Sequence, residues 1–172
     1  MSKPQLPKCL KSSSPTFSGR RIDLYQVDHK EVVIHPGAVV ILPIISDSEI
    51  IMIRNERFAV DENLLELPAG TLEQDEEPAT TAARELIEET GYRAKVLEPL
   101  FAFYTTPGFC NEMIHAFVAK DLEFVGQNLD ESEKITTEVF TWEAILQMLR
   151  DGTIHDGKTI ATLLYYQSFL IK

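Results

Sequence analysis

Residues 70–92 read GTLEQDEEPATTAARELIEETGY, and the groups able to do chemistry are concentrated there. Glu85, Glu88 and Glu89 stand at i, i+3 and i+4, so a helix would carry three carboxylates on one stripe. Like charges at that spacing weaken an isolated helix by a few tenths of a kcal/mol per pair. A hard divalent cation reverses the sign, because it takes oxygen ligands and a Glu-rich face supplies them. Once bound, such an ion can grip phosphate oxygens and lower the pKa of a water. A Glu-rich helix is ordinarily a solvated face. Gly70, Glu76, Arg84 and Gly91, at fixed distances around the three carboxylates, set this one apart.

The element that must position these groups is itself readable. Pro78 suits the first turn of a helix, where its missing N–H is no loss, and Gly91 suits the left-handed residue that ends one. Ala82, Ala83, Leu86, Ile87 and Thr90 fall on the side opposite the carboxylates and are expected to pack. Before the helix, Phe17 to Val33 alternates as two short strands, and Pro36-Gly37 breaks the chain. Ala38–Ile45 reads as a buried strand and Asp47-Ser48-Glu49 as a turn. Ile50–Arg54 reads as the returning strand, and Leu64–Ala69 as an extended run. Ala94–Tyr104, Met113–Lys120 and Glu138–Trp142 are further strands, with a polar loop over Glu123–Glu133. Trp142–Asp151 and Gly157–Leu170 read as helices, the second with Ile160, Leu163, Leu164 and Gln167 on one stripe. Strands mixed with helices at two points predict an α/β sandwich.

Length and composition bound the rest. The 172 residues suffice for one domain with a sizeable core, and the 44% hydrophobic content is ordinary. Residues 1–16, with three prolines, three lysines and Ser12-Ser13-Ser14, are expected to be a mobile tail before a single domain over 17–172. No apolar run reaches membrane-span or signal-peptide length, which places the chain in the cytoplasm. Cys9 and Cys110 make neither a disulfide framework nor a zinc spacing. A net charge of −11 argues against nucleic acid and anionic membranes as partners. The same charge opposes an anionic substrate unless bound cations offset part of it.

The stretch resembles the Nudix box, Gly-x5-Glu-x7-Arg-Glu-U-x-Glu-Glu-x-Gly-U with U aliphatic. Gly70, Glu76, Arg84, Glu85, Leu86, Glu88, Glu89 and Gly91 all fit, and Tyr92 departs at the final U. The resemblance implies a mixed sheet between helices, an α/β/α sandwich with an N-terminal antiparallel β segment. It also implies hydrolysis of nucleoside diphosphates linked to another moiety, with Mg²⁺ or Mn²⁺ on Glu85, Glu88 and Glu89 and on the Ala69 carbonyl. Arg84 and Glu76 would pair and brace the loop, and Gly70 and Gly91 would serve the backbone.

Beyond the box, Tyr104–Glu112 resembles the segment around a proline in ADP-ribose pyrophosphatases, with Pro107 fifteen residues past Tyr92. Leu65–Gly70 and Ile53–Ala59 resemble segments of the same subfamily. From these, Arg54, Arg57, Glu66, Pro107 and Glu112 are candidate substrate contacts, with Arg57 on a phosphate. Arg54 and Arg57 could equally be surface charge, and Pro107 an ordinary turn. Glu133, or else Glu131, would orient the attacking water from the late acidic loop, and Glu112 could instead reach the metal. The subfamily implies a homodimer that exchanges residues 17–35. The activity implied is cleavage of ADP-ribose to AMP and ribose 5-phosphate. A GDP- or UDP-hexose hydrolase, or a module that senses nucleotide without cleaving it, are the alternatives.

Overall fold

The computed structural model describes residues 7–10, 13–129 and 134–170. A small antiparallel sheet comes first, β1 (Phe17–Ser18), β2 (Asp23–Val27) and β3 (Lys30–Ile34). The main sheet follows with β4 (Ala38–Ser46), β5 (Glu49–Arg57), β6 (Glu62–Glu66) and β7 (Ala69–Thr71). After α1 (Pro78–Thr90) come β8 (Tyr92–Tyr104), β9 (Met113–Phe124) and β10 (Ile135–Thr141), then α2 (Trp142–Arg150) and α3 (Gly157–Phe169). The main sheet runs β10-β5-β4-β9-β8, with β6 on β5 and β7 on β4. Only β4 and β9 among these pairs are parallel, in register from Ala38↔Ile114 to Pro43↔Ala119, so the sheet is mixed.

Alternation along β4 divides the core into two layers. Val39 and Ile41 face α1 and pack with Ala82, Leu86, Phe117 and Ala119. Val40 and Leu42 face the other way and pack with Ile50, Met52, Ile145 of α2 and Leu163 of α3. The result is the expected α/β/α sandwich with an N-terminal β segment.

One irregularity positions the site. β4 and β5 pair beside their shared turn, Ile44↔Ile50 and Ser46↔Glu49. Further along they part. The far end of β5 takes β6 instead, Ile53↔Glu66 to Arg57↔Glu62, and the near end of β4 takes β7, Val40↔Ala69 to Ala38↔Thr71. The chain from Glu62 to Thr71 thus fills a wedge, satisfying the backbone groups that the splay would leave unpaired. It also sets Glu66 beside one strand and Ala69-Gly70 beside the other, with only Leu67 and Pro68 between.

Several expectations shift. The segment Phe17–Val33 forms three strands, and β10 starts at Ile135, three residues before the strand expected from Glu138. Trp142 begins a helix, because Thr141 caps it by accepting the Ala144 N–H (3.3 Å). On α1, Ala83 is exposed, and Glu89, expected on the open stripe, is buried. On α3 the buried face is Thr159, Thr162 and Leu163, whereas Leu164 is exposed; two threonines bury there because each hydroxyl has a backbone partner. Lys8–Leu10, within the expected tail, forms a 3₁₀ turn that buries Leu10 against Tyr25 and Ile34.

The end of α1 rests on Gly91 (φ 77°), whose N–H reaches the Ile87 carbonyl (2.8 Å). A Cβ there would lie 2.8 Å from the Gln127 nitrogen and from the Phe124 ring. Tyr92, the one departure from the box, meets that same Phe124 ring edge-on at 5.2 Å. Gly91→Ala should lower unfolding stability by about 1–2 kcal/mol from the left-handed backbone alone, and more from the collision. Urea unfolding measures it, and a loss below about 0.5 kcal/mol would mean that the turn relaxes freely.

Candidate active site

Helix α1 lies along a wide cleft with Glu85, Glu88 and Glu89 on its wall. The other walls are the 69–77 loop, Asn55 and Arg57 of β5, Phe103–Thr106 with Glu112, Asp156–Lys158, and Arg20 and Arg21 from the β1–β2 turn. Pro78 starts the helix at its first turn with no side-chain cap from Glu77. About two to three turns later the carboxylates line the cleft.

Arg84 holds two of these carboxylates together and reaches Glu76 as well. Its Nη1 donates to Glu85 Oε1 and to Glu88 Oε2, both at 2.8 Å. Its Nε and Nη2 donate to the two oxygens of Glu76, at 3.2 and 3.0 Å. The Thr81 hydroxyl adds a third bond to Glu76 (2.8 Å). The guanidinium pKa is pushed up, first by the hydrogen bond to Glu76 and then by its bonds to Glu85 and Glu88 against the cost of burial. Glu76 is correspondingly held below the usual carboxylate range, chiefly by Arg84. Arg84 and Glu76 thus form an ion pair between the 69–77 loop and the helix.

Gly70 and Glu85 meet at close quarters. A Cβ on Gly70 would sit 1.9 Å from the Glu85 carboxyl carbon. Only a glycine leaves room for that carboxylate against β7. Glu89 is 3% exposed and accepts the Ala69 N–H (2.8 Å), so the backbone of β7 is locked to the last turn of α1. Among the described residues no three acidic, His or Cys side chains converge as a ready cage for an ion. Glu85 and Glu88 meet at Arg84, and Glu89 turns to Ala69. The donors nonetheless suit a hard divalent cation, being carboxylate oxygens on one cleft face with a notch at Gly70 that only the Glu85 carboxylate enters.

A model of the NUDIX domain matches residues 34–163. The chain belongs to the Nudix family. It is 41% identical over 162 residues to the ADP-ribose pyrophosphatase of Bacillus subtilis (strain 168), covering 88% of each chain. It is 38% identical over 162 residues to the methanol dehydrogenase activator of Bacillus methanolicus, again covering 88% of each. To the GDP-mannose pyrophosphatase of Cronobacter sakazakii (strain ATCC BAA-894) it is 34% identical over 163 residues, covering 88% of this chain and 85% of that one. Membership implies divalent-metal-dependent chemistry at the Nudix box. No helix among the described residues is long and apolar enough to cross a membrane.

The residues outside the box fall in different places. Arg57 lines the cleft, and its fork grips Glu66 through Nε (2.8 Å) and Nη2 (2.6 Å). Glu66 is completely buried beneath it, so it supports Arg57 from behind and does not line the cleft. Arg54 is an odd number of residues from Arg57, so it points to the other face of β5, where it pairs with Glu138. Pro107 is exposed in a turn closed by the Phe109 and Cys110 N–H groups on the Thr106 carbonyl (3.1 and 2.9 Å); its neighbours Thr105 and Thr106 line the cleft, and it does not. Glu112 lines the cleft and accepts the Thr105 hydroxyl (2.8 Å). Glu131 and Glu133 lie outside the described residues.

Four cleft groups escaped the sequence reading. Lys158 and Asp156 flank the start of α3, and Arg20 and Arg21 come from the β1–β2 turn. Asp156 was findable as a residue preceding a helix, since it caps α3 by accepting the Thr159 N–H (3.0 Å). Lys158 meets Glu66 across 92 positions of sequence, and no local pattern signals that. His35 was also missed. Its Nδ1 accepts the Gly37 N–H (3.1 Å), and its burial pushes the ring pKa down, so the ring beside Glu112 is neutral.

Two expectations test this geometry. Gly70→Ala should fold but expel the Glu85 carboxylate, cutting kcat by about a hundredfold or more with a small change in KM. Turnover within threefold of wild type would show that Glu85 needs no notch. Arg84→Met should lower Tm at pH 7. Glu76 has a depressed folded pKa, so its contribution is full above its unfolded value of about 4.3 and is lost as pH falls through the folded value. The Tm gap between wild type and variant should therefore narrow below about pH 4.3. An unchanged Tm with lost activity would put Arg84 on the substrate instead.

Proposed function

We propose that this Nudix pyrophosphohydrolase cleaves the pyrophosphate of ADP-ribose, giving AMP and ribose 5-phosphate. The observation that carries the proposal is the shared cleft, in which the α1 carboxylates and the Arg57 guanidinium line one space. Pyrophosphate hydrolysis needs both, oxygen donors for cations and a forked donor for phosphate. The likeness to a Bacillus subtilis ADP-ribose pyrophosphatase over most of both chains supports the choice of substrate.

In this reading Glu85, Glu88 and Glu89 with the Ala69 carbonyl would hold Mg²⁺ or Mn²⁺, which would supply charge neutralisation and an acidified water. Arg57 holds a phosphate of the substrate. Glu85 is kept in place by the Gly70 notch, and Glu76 and Arg84 fix the loop that carries Ala69. Glu133, or else Glu131, accepts the proton of the attacking water. Water adds to one phosphorus, the bond from that phosphorus to the bridging oxygen breaks, and the bridging oxygen leaves with the other phosphate. Arg54 and Pro107 have no contact role here, since one is on the far face of β5 and the other in an exposed turn.

A hexose nucleotide is the second reading, favoured by the likeness to a GDP-mannose pyrophosphatase at lower identity. The expected outcome is no turnover in excess chelator, recovery with Mg²⁺ or Mn²⁺, and the highest kcat/KM for ADP-ribose. Substrate cleavage, read by chromatography of the nucleotide products, should be compared for ADP-ribose, GDP-mannose, UDP-glucose and diadenosine polyphosphates under one metal condition. A hexose nucleotide ahead by tenfold, about 1.4 kcal/mol of transition-state preference, would replace the ADP-ribose assignment. Full turnover in chelator would end the metal reading.

A further inference from the structure

Beneath Arg57 lies more charge than one ion pair requires. Glu66 has no exposed surface, yet two cations converge on it. Arg57 takes both oxygens, and Lys158 Nζ donates to Oε2 at 2.5 Å. Lys158 itself is nearly buried and donates a second bond to Asp156 Oδ1 (3.0 Å). The other oxygen of Asp156 caps α3 through the Thr159 N–H, and the Thr159 hydroxyl accepts the Leu67 N–H (2.9 Å). The start of α3 is thus fastened to residues 66 and 67 of the wedge segment at adjacent points.

This arrangement has a directional consequence. A guanidinium and a carboxylate in a two-bond fork are coplanar, so the plane of Glu66 sets the plane of Arg57. Held by Arg57 alone, the carboxylate could turn about its own stem and carry the fork with it. An ammonium on Oε2 removes that freedom, because turning would break a charge-assisted bond in a buried setting. The Nη1 edge of Arg57 makes no hydrogen bond among the described residues and belongs to a side chain lining the cleft.

We propose that Lys158 is a positioning residue for Arg57, locking the Glu66 carboxylate in the plane that presents the outer guanidinium edge to a substrate phosphate. The inference rests on the reading of Arg57 as the phosphate contact. It assigns Lys158 no contact with substrate. The charge-retaining Lys158→Arg should therefore preserve function, and the charge-free Lys158→Met should loosen phosphate binding.

The test is steady-state kinetics on ADP-ribose with Mg²⁺ for wild type, Lys158→Met, Lys158→Arg, Arg57→Ala and the Arg57→Ala/Lys158→Met pair. KM reports only the folded, active fraction, so a stability loss does not obscure it. Lys158→Met should raise KM by about tenfold with kcat within about threefold, the pattern of lost uniform binding. Lys158→Arg should stay within about threefold of wild type, and Lys158→Met should add less than about twofold in the Arg57→Ala background. An unchanged KM in Lys158→Met beside a raised KM in Arg57→Ala overturns the inference and leaves the Arg57 reading standing. A full effect of Lys158→Met in the Arg57→Ala background also overturns it, making Lys158 a direct contact. An unchanged KM in Arg57→Ala removes the phosphate contact itself, and the role of Lys158 with it.

Discussion

Everything at this site depends on keeping three like charges together at the end of one helix. Glu85, Glu88 and Glu89 repel each other, and a helix that exposes them gains nothing from them in folding. Arg84 resolves this by being shared, with Nη1 on Glu85 and Glu88 and the rest of the guanidinium on Glu76. The third carboxylate is handled differently, by burial against a backbone donor at Ala69. The two devices leave different groups adjustable. Glu85 and Glu88 hold a side chain that can yield to a stronger cation, whereas Glu89 holds a strand. On the proposed metal reading, a competing cation would draw on the first two without disturbing the sheet.

The wedge in the main sheet converts that helix face into a two-sided cleft. Had β4 and β5 stayed paired along their length, residues 62–71 would have no place between them. Their parting brings β6 and β7 into the gap, with Glu66 and Arg57 on one side and Ala69-Gly70 on the other. Cationic and anionic halves of the cleft are then joined by a short backbone connection, so their separation is set by covalent geometry and by ladder hydrogen bonds. Side-chain packing has little say in it.

Much of this was legible in the sequence, and the reasons are local ones. The α1 limits follow from Pro78 and Gly91, and the carboxylate stripe from 3.6-residue periodicity. The Arg84–Glu76 brace is carried by the box itself. What was illegible depends on placement in space. Arg54 and Arg57 look alike along the chain, yet strand alternation sends one to each face of β5. Glu89 reads as exposed from its helical position, but the return of β7 covers it. Helical periodicity puts Ile160, Leu163, Leu164 and Gln167 on one stripe of α3. In the fold Thr159 and Thr162 are buried, because their hydroxyls bond the Leu67 N–H and the Lys158 carbonyl.

A formal charge of −11 opposes an anionic ligand at long range, and the charges lining the cleft act against that at short range. Arg20 and Arg21 of the β1–β2 turn, Arg57 of β5 and Lys158 of α3 line the same cleft as the α1 carboxylates suited to divalent cations. Net charge describes the field far from the protein, which salt screens beyond about 8 Å at physiological ionic strength. At contact distance a diphosphate would meet the guanidinium edge of Arg57 and the cations gathered by α1. A small diphosphate that fits within the cleft would then meet these local charges rather than the far field of the acidic surface. On the proposed reading, recognition of a small anion is a property of where the few cations sit, and the buried Glu66 holds one of them, Arg57, by a two-bond fork at the cleft wall.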